Sequence, residues 1–200
     1  MCSVSNIPER RKTPPLRGSL VKWEYTNTVS KITLSMCLAD AGIVRVTYFP
    51  GAVPEDEPSY AVSPGYSAPG AEIREYDEDG VHVVETSLLR IRIRTEEQKV
   101  DFYDVATDEP LLTDEGGFGR ESKDWTGDAR VWIRKNLQET EHFFGLGDKP
   151  CALNLRGKYF SMWGADHYDF HEESDPLYKS IPFFLSLRER KAYGLLFDNT

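Results

Sequence analysis

From residue 19 onwards, apolar and polar residues alternate with a period of two along most of the chain. β-Branched and aromatic residues are frequent in these stretches, and short polar turns separate them. This pattern predicts β-strands, because successive side chains of a strand point to opposite faces of a sheet. The predicted strands cover residues 19–26, 29–39, 42–49, 82–95, 98–104, 129–137, 142–147, 158–163, 180–188 and 191–198.

The clearest alternation is the run LLRIRIR, in which Leu89, Ile91 and Ile93 take turns with arginines. The apolar residues are predicted to face a core and the arginines to face water, as in an antiparallel sheet with one solvated face. No window of about 11 residues or more carries the apolar stripe of an amphipathic helix. Many short strands with turns between them predict an all-β fold, an antiparallel β-sandwich.

The positions of the stretches rich in Pro, Gly, Ser and Arg predict the domain organisation of the chain. Residues 1–18, which are rich in Pro and Arg, predict a flexible N-terminal tail, and residues 19–200 predict one β-sandwich domain. Within that domain, residues 50–72 are rich in Pro, Gly and Ser and predict a long loop. Pro110 and the glycine cluster Gly116–Gly119 predict two further loops.

Composition excludes several classes of partner. The chain has 40% hydrophobic and 28% charged residues and a formal net charge of −9. This charge argues against a nucleic-acid partner, because binding to phosphates depends on Lys and Arg. No apolar run approaches the roughly 20 residues that span a bilayer, so no membrane partner is expected.

The N-terminus lacks the apolar core of a signal peptide, and Cys2, Cys37 and Cys151 include no CxxC pair. We therefore expect a cytoplasmic protein.

A stretch of mixed acidic and aromatic residues, SMWGADHYDFHEESDPLYK, occupies residues 161–179. A metal site, a pair of catalytic carboxylates, a sugar-binding loop and a solvated acidic loop all have this composition. Asp166, His167, Asp169 and His171 carry metal-ligating atoms, but their spacing matches no zinc or EF-hand pattern. Paired carboxylates catalyse glycoside hydrolysis, but nearness in sequence does not fix their separation.

Aromatic residues in the same stretch favour sugar binding. Carboxylates accept paired hydrogen bonds from sugar hydroxyls, and aromatic faces cover the apolar C–H patches of a sugar ring. Trp163, Tyr168 and Tyr178 lie beside Asp166 and supply both kinds of group. Taken by itself, however, Trp163 would be assigned to the core.

Other catalytic motifs are absent from the sequence. Gly145-Leu146-Gly147-Asp148 lacks the third glycine, the Lys-Ser/Thr pair and the following helix of a phosphate-binding loop. A tight turn with positive φ is expected there instead. The chain has no G-x-S-x-G sequence of a serine hydrolase, and no cysteine has a histidine close in sequence to activate it.

Five short motifs follow one another between Phe144 and Thr200. They are F-G-L-G-[DE]-K, L-N-x-R-G-K-x-[FY], M-W-x-x-D, D-P-L-Y-K-S-I-P-F-F and G-[IL]-[LF]-F-D-N-[ST]. In this order and spacing they resemble the end of the N-terminal β-domain of glycoside hydrolase family 31, the α-glucosidase family. The stretches GIVRVTYFP and TSLLRIRIRTEEQKVDFYDVATDEPLL also resemble earlier strands of that domain, so the resemblance covers nearly everything after the tail.

The resemblance implies a galactose mutarotase-like supersandwich that precedes a (β/α)8 barrel. The barrel carries the two catalytic aspartates of a retaining mechanism. Because the sequence stops before any barrel strand, we expect no catalytic residue in it and no activity of the 200 residues alone. The implied partners are an α-linked glucoside or oligosaccharide and the missing C-terminal barrel, with no metal and no cofactor. A bare surface for the barrel would lead to self-association.

The resemblance also assigns a role to the acidic stretch. In the family, the loop after the M-W motif reaches over the barrel mouth, and its aspartate contacts the sugar at the leaving-group side. The matching residue is Asp166, although the family's familiar W-N-x-D form has glycine and alanine here between tryptophan and aspartate. Trp163, His167 and Tyr168 are expected to line the same substrate-binding loop.

The end of the stretch is expected to be structural. Asp175 and Lys179 are predicted to lead the loop back into the next strand and to form an ion pair. Two other functions remain open at this stage. One is a free-standing carbohydrate-binding module that holds sugar without a barrel, and the other is a structural module whose acidic loop packs on a partner.

Overall fold

The computed structural model describes residues 9–13, 21–54, 59, 61–63, 66, 71–122 and 129–198. These residues form fourteen strands and no helix, and hence no helix among them could cross a membrane. The strands are β1 (Glu9–Thr13), β2 (Val21–Thr26), β3 (Ile32–Asp40), β4 (Ile43–Pro50), β5 (Arg74–Glu78), β6 (Val81–Glu85), β7 (Leu89–Arg94), β8 (Lys99–Asp104), β9 (Pro110–Leu112), β10 (Asp114–Ser122), β11 (Ala129–Lys135), β12 (His142–Gly147), β13 (Ser180–Arg188) and β14 (Lys191–Leu196).

The strands belong to two compact units of the chain. The first unit consists of Met1–Pro58 and Ser63–Asn136, and the second of Ser59–Val62 and Leu137–Thr200. The first carries a four-stranded sheet (β1-β2-β3-β4), a five-stranded sheet (β5-β6-β7-β8-β9) and the ribbon β10-β11. The second carries the three-stranded sheet β12-β13-β14. The alternation of apolar residues gives no sign of this division.

The two larger sheets of the first unit share one apolar core. Its buried side chains, each at most 3% exposed, come from both sheets: Trp23, Tyr25, Leu34, Met36 and Leu38 from one, and Val84, Ile91, Ile93 and Val100 from the other. Two sheets that bury their inner faces against each other form a β-sandwich. All strand pairings are antiparallel. The predicted all-β, antiparallel fold class is therefore confirmed.

Strand β7 shows why the alternation predicts this arrangement. Ile91 and Ile93 are fully buried, as their positions in the LLRIRIR run predict. The arginines occupy the opposite face, where each forms an ion pair with a carboxylate of the same sheet. These pairs include Arg94–Asp101 at 2.5 Å, Arg90–Glu85 at 2.6 Å and Arg92–Glu78 at 3.5 Å.

The glycine cluster Gly116–Gly119, predicted to be a loop, lies inside strand β10 instead. Close packing and not a turn requires two of these glycines, Gly117 and Gly119. A Cβ on Gly117 would lie 1.9 Å from the carbonyl oxygen of Glu97, and a Cβ on Gly119 would lie 2.1 Å from the indole of Trp132. Glycine within a strand often marks such a close approach.

Two further strand boundaries differ from the prediction. Pro110 opens β9, which is an edge strand of the five-stranded sheet, and a proline without an N–H is tolerated at such an edge. The predicted strand 82–95 is two strands, because the Thr86 hydroxyl accepts hydrogen bonds from the amides of Leu88 and Leu89 and so turns the chain.

The predicted loop and tail are described only in part. The described residues between 51 and 72 form neither strand nor helix. Strand β1 lies inside residues 1–18, the predicted flexible tail, and it pairs with β2. The other residues of that tail lie outside the described part of the chain.

A buried carboxylate holds together the sheet of the second unit. Glu141, 1% exposed, accepts hydrogen bonds from the Ser186 hydroxyl (2.5 Å), the Tyr193 hydroxyl (2.8 Å) and the Gln138 amide (2.9 Å). Burial raises the pKa of Tyr193, and the hydrogen bond to Glu141 raises that pKa further. The phenol therefore remains a donor at neutral pH and fixes the residue that precedes β12 against β13 and β14.

Candidate functional site

Two glycines at the end of β12 direct the chain into the acidic stretch. Gly145, Leu146 and Gly147 all have the predicted positive φ, at 126°, 65° and 87°, but they lie within β12 and form an irregularity of that strand instead of the predicted tight turn. A Cβ on Gly147 would lie 2.3 Å from the carbonyl oxygen of Lys179. The register of β12 on β13 shifts here, and the Asp148 amide donates to the same carbonyl at 2.9 Å.

Residues 148–179 connect β12 to β13 without forming a strand or a helix. We call them the 148–179 segment. Lys149 forms its central ion pair: the ammonium lies 2.5 Å from Asp175, and the two side chains are only 2% and 15% exposed. Lys149 also donates to the Ser161 carbonyl at 3.0 Å and lies 5.2 Å from the centre of the Phe160 ring. Removing one partner of a buried pair leaves an uncompensated charge, so this contact is important for folding.

The ion pair explains why residues 158–163 are not the strand that the sequence predicts. The carbonyl of Ser161 accepts from Lys149, and its amide donates to Asp175. Both backbone groups that a neighbouring strand would satisfy are therefore satisfied by side chains. Lys149 and Asp175 lie 26 residues apart, so local periodicity carries no trace of this arrangement.

The pairing of Asp175 also corrects a prediction about the end of the stretch. Asp175 pairs with Lys149 and not with Lys179. The side chain of Lys179 is exposed, and its backbone carbonyl accepts a hydrogen bond from the Asp148 amide. The predicted role of Asp175 in leading the chain back to β13 is retained through a different lysine.

The ion pair makes stability depend on pH. Burial raises the pKa of Asp175, but hydrogen bonds from Lys149 and Ser161 and the charge of Lys149 together bring that pKa below its usual value. A carboxyl with a lowered folded-state pKa contributes stability above its unfolded pKa of about 3.9, and this contribution is lost as pH falls through the folded-state pKa.

We therefore expect the stability difference between the native chain and Asp175→Asn to be constant near neutral pH and to shrink in acid. Urea midpoints measured from neutral pH to about pH 3, below the unfolded pKa, give this difference. Asparagine keeps the shape of the side chain and cannot titrate. A difference that stays constant over the whole range would show that the Asp175 charge does not stabilise the fold.

The structure places all four predicted binding residues on the surface. Trp163 is 73% exposed and Tyr168 is 98% exposed, and Asp166 and His167 are exposed as well. The side chain of Asp166 forms no hydrogen bond or ion pair with any described residue. Its carboxylate is thus open to an external donor. The assignment of Trp163 to a core, which the residue alone would suggest, is wrong.

Tyr178 holds the exposed part of the segment in place. Residues 166–172, which we call the tip, are all exposed. The Tyr178 hydroxyl donates to the backbone carbonyl of His167, and its ring meets Phe170 edge to face, with centroids 6.4 Å apart. A second link lies below the tip, where the Ala165 amide donates to the Leu177 carbonyl at 3.0 Å.

Two other interpretations of the acidic stretch lose support. Within the described part of the chain, no three His, Cys, Asp or Glu side chains are grouped closely enough to hold a metal ion. A general acid of glycoside hydrolysis occupies an environment that excludes solvent. Asp166, Asp169 and Glu172 are all exposed, so the tip offers no such environment.

The L-N-x-R-G-K motif is structural. The Asn154 side-chain oxygen accepts from the amides of Phe143 and Arg156, both at 3.2 Å. Arg156 donates to the carbonyls of Gln138 and Glu141 at 2.8 and 2.7 Å. The motif therefore attaches the 148–179 segment to the start of the sheet. Sequence reasoning missed this role and that of Lys149, because both depend on contacts between distant residues.

Comparison with known proteins identifies the family. Residues 33–200 match the family described as the glycosyl hydrolase 31 N-terminal galactose mutarotase-like domain. The chain belongs to this family. The resemblance carried by the five motifs is thereby confirmed, and so is the galactose mutarotase-like form of the sandwich.

Similar proteins are much longer than this domain. Alpha-glucosidase 2 of Bacillus thermoamyloliquefaciens is 40% identical over 83 residues, which are 41% of this chain and 10% of that protein. The alpha-glucosidase of Saccharolobus solfataricus is 36% identical over 70 residues, 35% of this chain and 10% of that protein. The solved dextranase of Flavobacterium johnsoniae in complex with isomaltotriose has a TM-score of 0.71 at 25% identity, covering 90% of this chain and 20% of its own. The domain thus spans a tenth to a fifth of these relatives.

Proposed function

We propose that this domain is the N-terminal part of a retaining, α-glucosidase-like glycoside hydrolase. It packs on a catalytic barrel and contributes a substrate-binding loop. The observation that supports this most is the family match over residues 33–200 with relatives of which the domain spans a tenth to a fifth. Two of those relatives are named alpha-glucosidases, and one is a dextranase. The proposed substrate is therefore an α-linked glucoside or oligosaccharide, and the barrel supplies both catalytic aspartates.

The tip of the 148–179 segment is the proposed substrate contact. The exposed Asp166 carboxylate accepts hydrogen bonds from a sugar hydroxyl on the leaving-group side of the scissile bond. Trp163 and Tyr168 offer exposed aromatic faces to a sugar ring, and His167 lies between Tyr168 and Asp166 in the tip. The ion pair and Tyr178 support the proposal, because a binding loop is more effective when its base is held rigid.

An apolar face of β13 is the proposed surface for the barrel. Alternate residues of this strand, Ile181, Phe183, Leu185 and Leu187, are 38–45% exposed although all are large and hydrophobic. The opposite face carries the buried Ser186 and its bond to Glu141. Contiguous exposed apolar side chains of this kind are typical of interaction surfaces. The same face would drive self-association of the domain in isolation.

We also propose a cytoplasmic location. The support is the use of cysteine: Cys37 and Cys151, the two cysteines among the described residues, are not joined in a disulfide. Disulfides are rare in reducing compartments.

The function is tested by assaying the 200-residue chain for nitrophenol release from p-nitrophenyl α-glucoside. We expect no release above the uncatalysed rate, because both aspartates of the mechanism lie on the barrel. A family member that includes its barrel is the positive control. Turnover that scales with protein concentration and disappears in Asp166→Ala would contradict the proposal and would assign catalysis to the tip.

Calorimetric titration of the same chain with isomaltose and maltose separates the proposal from a free-standing carbohydrate-binding module. In the proposal, Asp166 binds sugar only when the barrel completes the site. Binding heat from the isolated chain that Asp166→Ala removes and Asp169→Ala retains would favour the free-standing module.

A further inference from the structure

A shallow pocket of about 240 Å³ opens on the 148–179 segment, and no role has been assigned to it. Its walls include Cys151, Lys158, Tyr159, Phe160, Glu173 and Asp175. Pockets for drug-sized molecules are usually about 300–1,000 Å³. The volume of this pocket therefore suits one small ring and not an extended ligand.

The walls carry the groups that recognise a neutral sugar. Tyr159 and Phe160 are aromatic and can cover the C–H face of a pyranose ring. Asp175 and Glu173 accept hydrogen bonds from hydroxyls, and the Lys158 ammonium donates them. The set thus combines an apolar wall with both acceptors and a donor, which an apolar ligand would leave unsatisfied.

The charges around the pocket are balanced. Lys158 lies 3.9 Å from Glu173, and Asp175 is neutralised by Lys149 behind the wall. A charged ligand would be attracted by one of these charges and repelled by the other, so it would gain little binding free energy. A neutral ligand with several hydroxyls can form hydrogen bonds with each group. The Lys158–Glu173 pair is long and partly exposed, so its partners can turn towards hydroxyls at little cost.

Part of the pocket is fixed before any ligand arrives. Lys149 and the Ser161 amide hold the Asp175 carboxylate in place, and Lys149 also lies over the Phe160 ring. The Glu173 amide donates to the Pro150 carbonyl at 2.9 Å, which connects the two sides of the pocket. A carboxylate that is already oriented loses little freedom on binding.

We propose that this pocket is a second sugar-binding site, which holds one hexose unit of an oligosaccharide through residues other than those of the tip. The choice of an α-linked glucose unit as occupant rests on the proposed function. The site would favour oligosaccharide substrates over small aryl glucosides, because only the former have further sugar units to place in it.

Cys151 provides a readout of occupancy, because it is a free cysteine among the residues that line the pocket. The rate of its alkylation by iodoacetamide is measured by peptide mass spectrometry on the 200-residue chain, with and without isomaltose. At a sugar concentration about ten times Kd, the unoccupied fraction falls to about a tenth, so alkylation should slow about tenfold. The Cys37 thiol of β3, in the other unit of the chain, is the internal control and should react at an unchanged rate.

Two tyrosine variants locate the effect. Tyr159→Ala removes the aromatic wall and should abolish protection of Cys151. Tyr168→Ala is the matched control, because that tyrosine is equally open to solvent on the tip, and it should leave protection unchanged. The exposed fractions of 87% and 98% make a folding defect in either variant unexpected.

The absence of protection by isomaltose, or equal protection of Cys37, would overturn the proposal. So would protection that Tyr168→Ala removes and Tyr159→Ala retains, because the sugar would then be bound at the tip. These outcomes are distinct from failure of the proposed function, which shows itself as hydrolysis by the isolated chain. Loss of the pocket site would leave the assignment as an enzyme domain intact.

Discussion

Replacing Lys149 with methionine is expected to lower the free energy of unfolding by about 3–5 kcal/mol, the usual cost of removing one partner of a buried ion pair. The Lys149 side chain is 2% exposed and lies 2.5 Å from Asp175. Methionine fills similar space, so the loss comes mainly from the carboxylate that stays behind without its cation. Urea denaturation at neutral pH, followed by tryptophan fluorescence, measures the change.

Two further variants identify the cause of this loss. Lys179→Met makes the same chemical change on an exposed lysine of the same segment and should alter stability by no more than about 0.5 kcal/mol. The double variant Lys149→Met with Asp175→Leu removes both charges and should recover part of the loss, because no unpaired charge remains. Equal effects of the two single lysine variants would contradict the importance of the ion pair.

Replacing Trp23 with alanine is expected to cost about 3–5 kcal/mol in the sandwich of the first unit. Trp23 is completely buried in the core shared by the two sheets. Its indole N–H also donates to Glu75 of β5 at 3.0 Å, and this bond joins the two sheets in addition to apolar packing. Loss of the side chain therefore leaves a cavity and removes a cross-sheet hydrogen bond. Thermal or urea unfolding of the purified variant gives the magnitude.

Trp163→Ala is the matched control for this prediction. The residue removed is the same, but Trp163 is 73% exposed, so stability should change by no more than about 0.5 kcal/mol. Trp23→Phe keeps most of the apolar volume and should lose less than Trp23→Ala. If Trp23→Ala and Trp163→Ala had similar effects, Trp23 would not be the core residue that the structure describes.

The sequence predicts those parts of the fold that local alternation determines. Ile91 and Ile93 alternate with arginines over a short distance, and the sheet buries them as the period of two requires. The same reasoning fails at Gly116–Gly119. Glycine is common both in loops and where a strand must approach a neighbour closely, and only the position of Glu97 and Trp132 decides between them.

In the candidate site, too, the sequence predicts the local features and not those that depend on contacts between distant residues. The motif around Asp166 is local, so the sequence indicates both the residue and its surroundings. The support beneath it is not local, because Lys149 and Asp175 meet across 26 residues. KYFSMW, residues 158–163, has the composition of a strand. The side chains of Lys149 and Asp175, however, form hydrogen bonds with the backbone carbonyl and amide of Ser161, so these groups are not available to a neighbouring strand. Hydrophobic periodicity does not predict hydrogen bonds between distant side chains and the backbone.

A division of labour within the 148–179 segment follows from these contacts. Lys149, Asp175 and Tyr178 hold its base and its tip, and changes there should mainly alter stability. The side chains of Asp166 and Tyr168 form no hydrogen bond, ion pair or ring contact with any described residue, and changes there should mainly alter substrate binding. In the proposed function, this tip serves a catalytic barrel.

The catalytic efficiency of Asp166→Ala in a protein that joins this domain to a family 31 barrel tests this role of the tip. A hydrogen bond to a charged group contributes roughly 1.5–3 kcal/mol. For isomaltose, whose leaving group is a sugar, kcat/KM should therefore fall by about ten- to a hundredfold. For p-nitrophenyl α-glucoside, kcat/KM should fall much less. The melting temperature of Asp166→Ala should equal that of the native protein. The matched variant Asp169→Ala should keep the native kcat/KM for both substrates. An equal loss for both substrates, or a lowered melting temperature, would contradict a role of Asp166 in substrate binding and make it a structural residue of the tip.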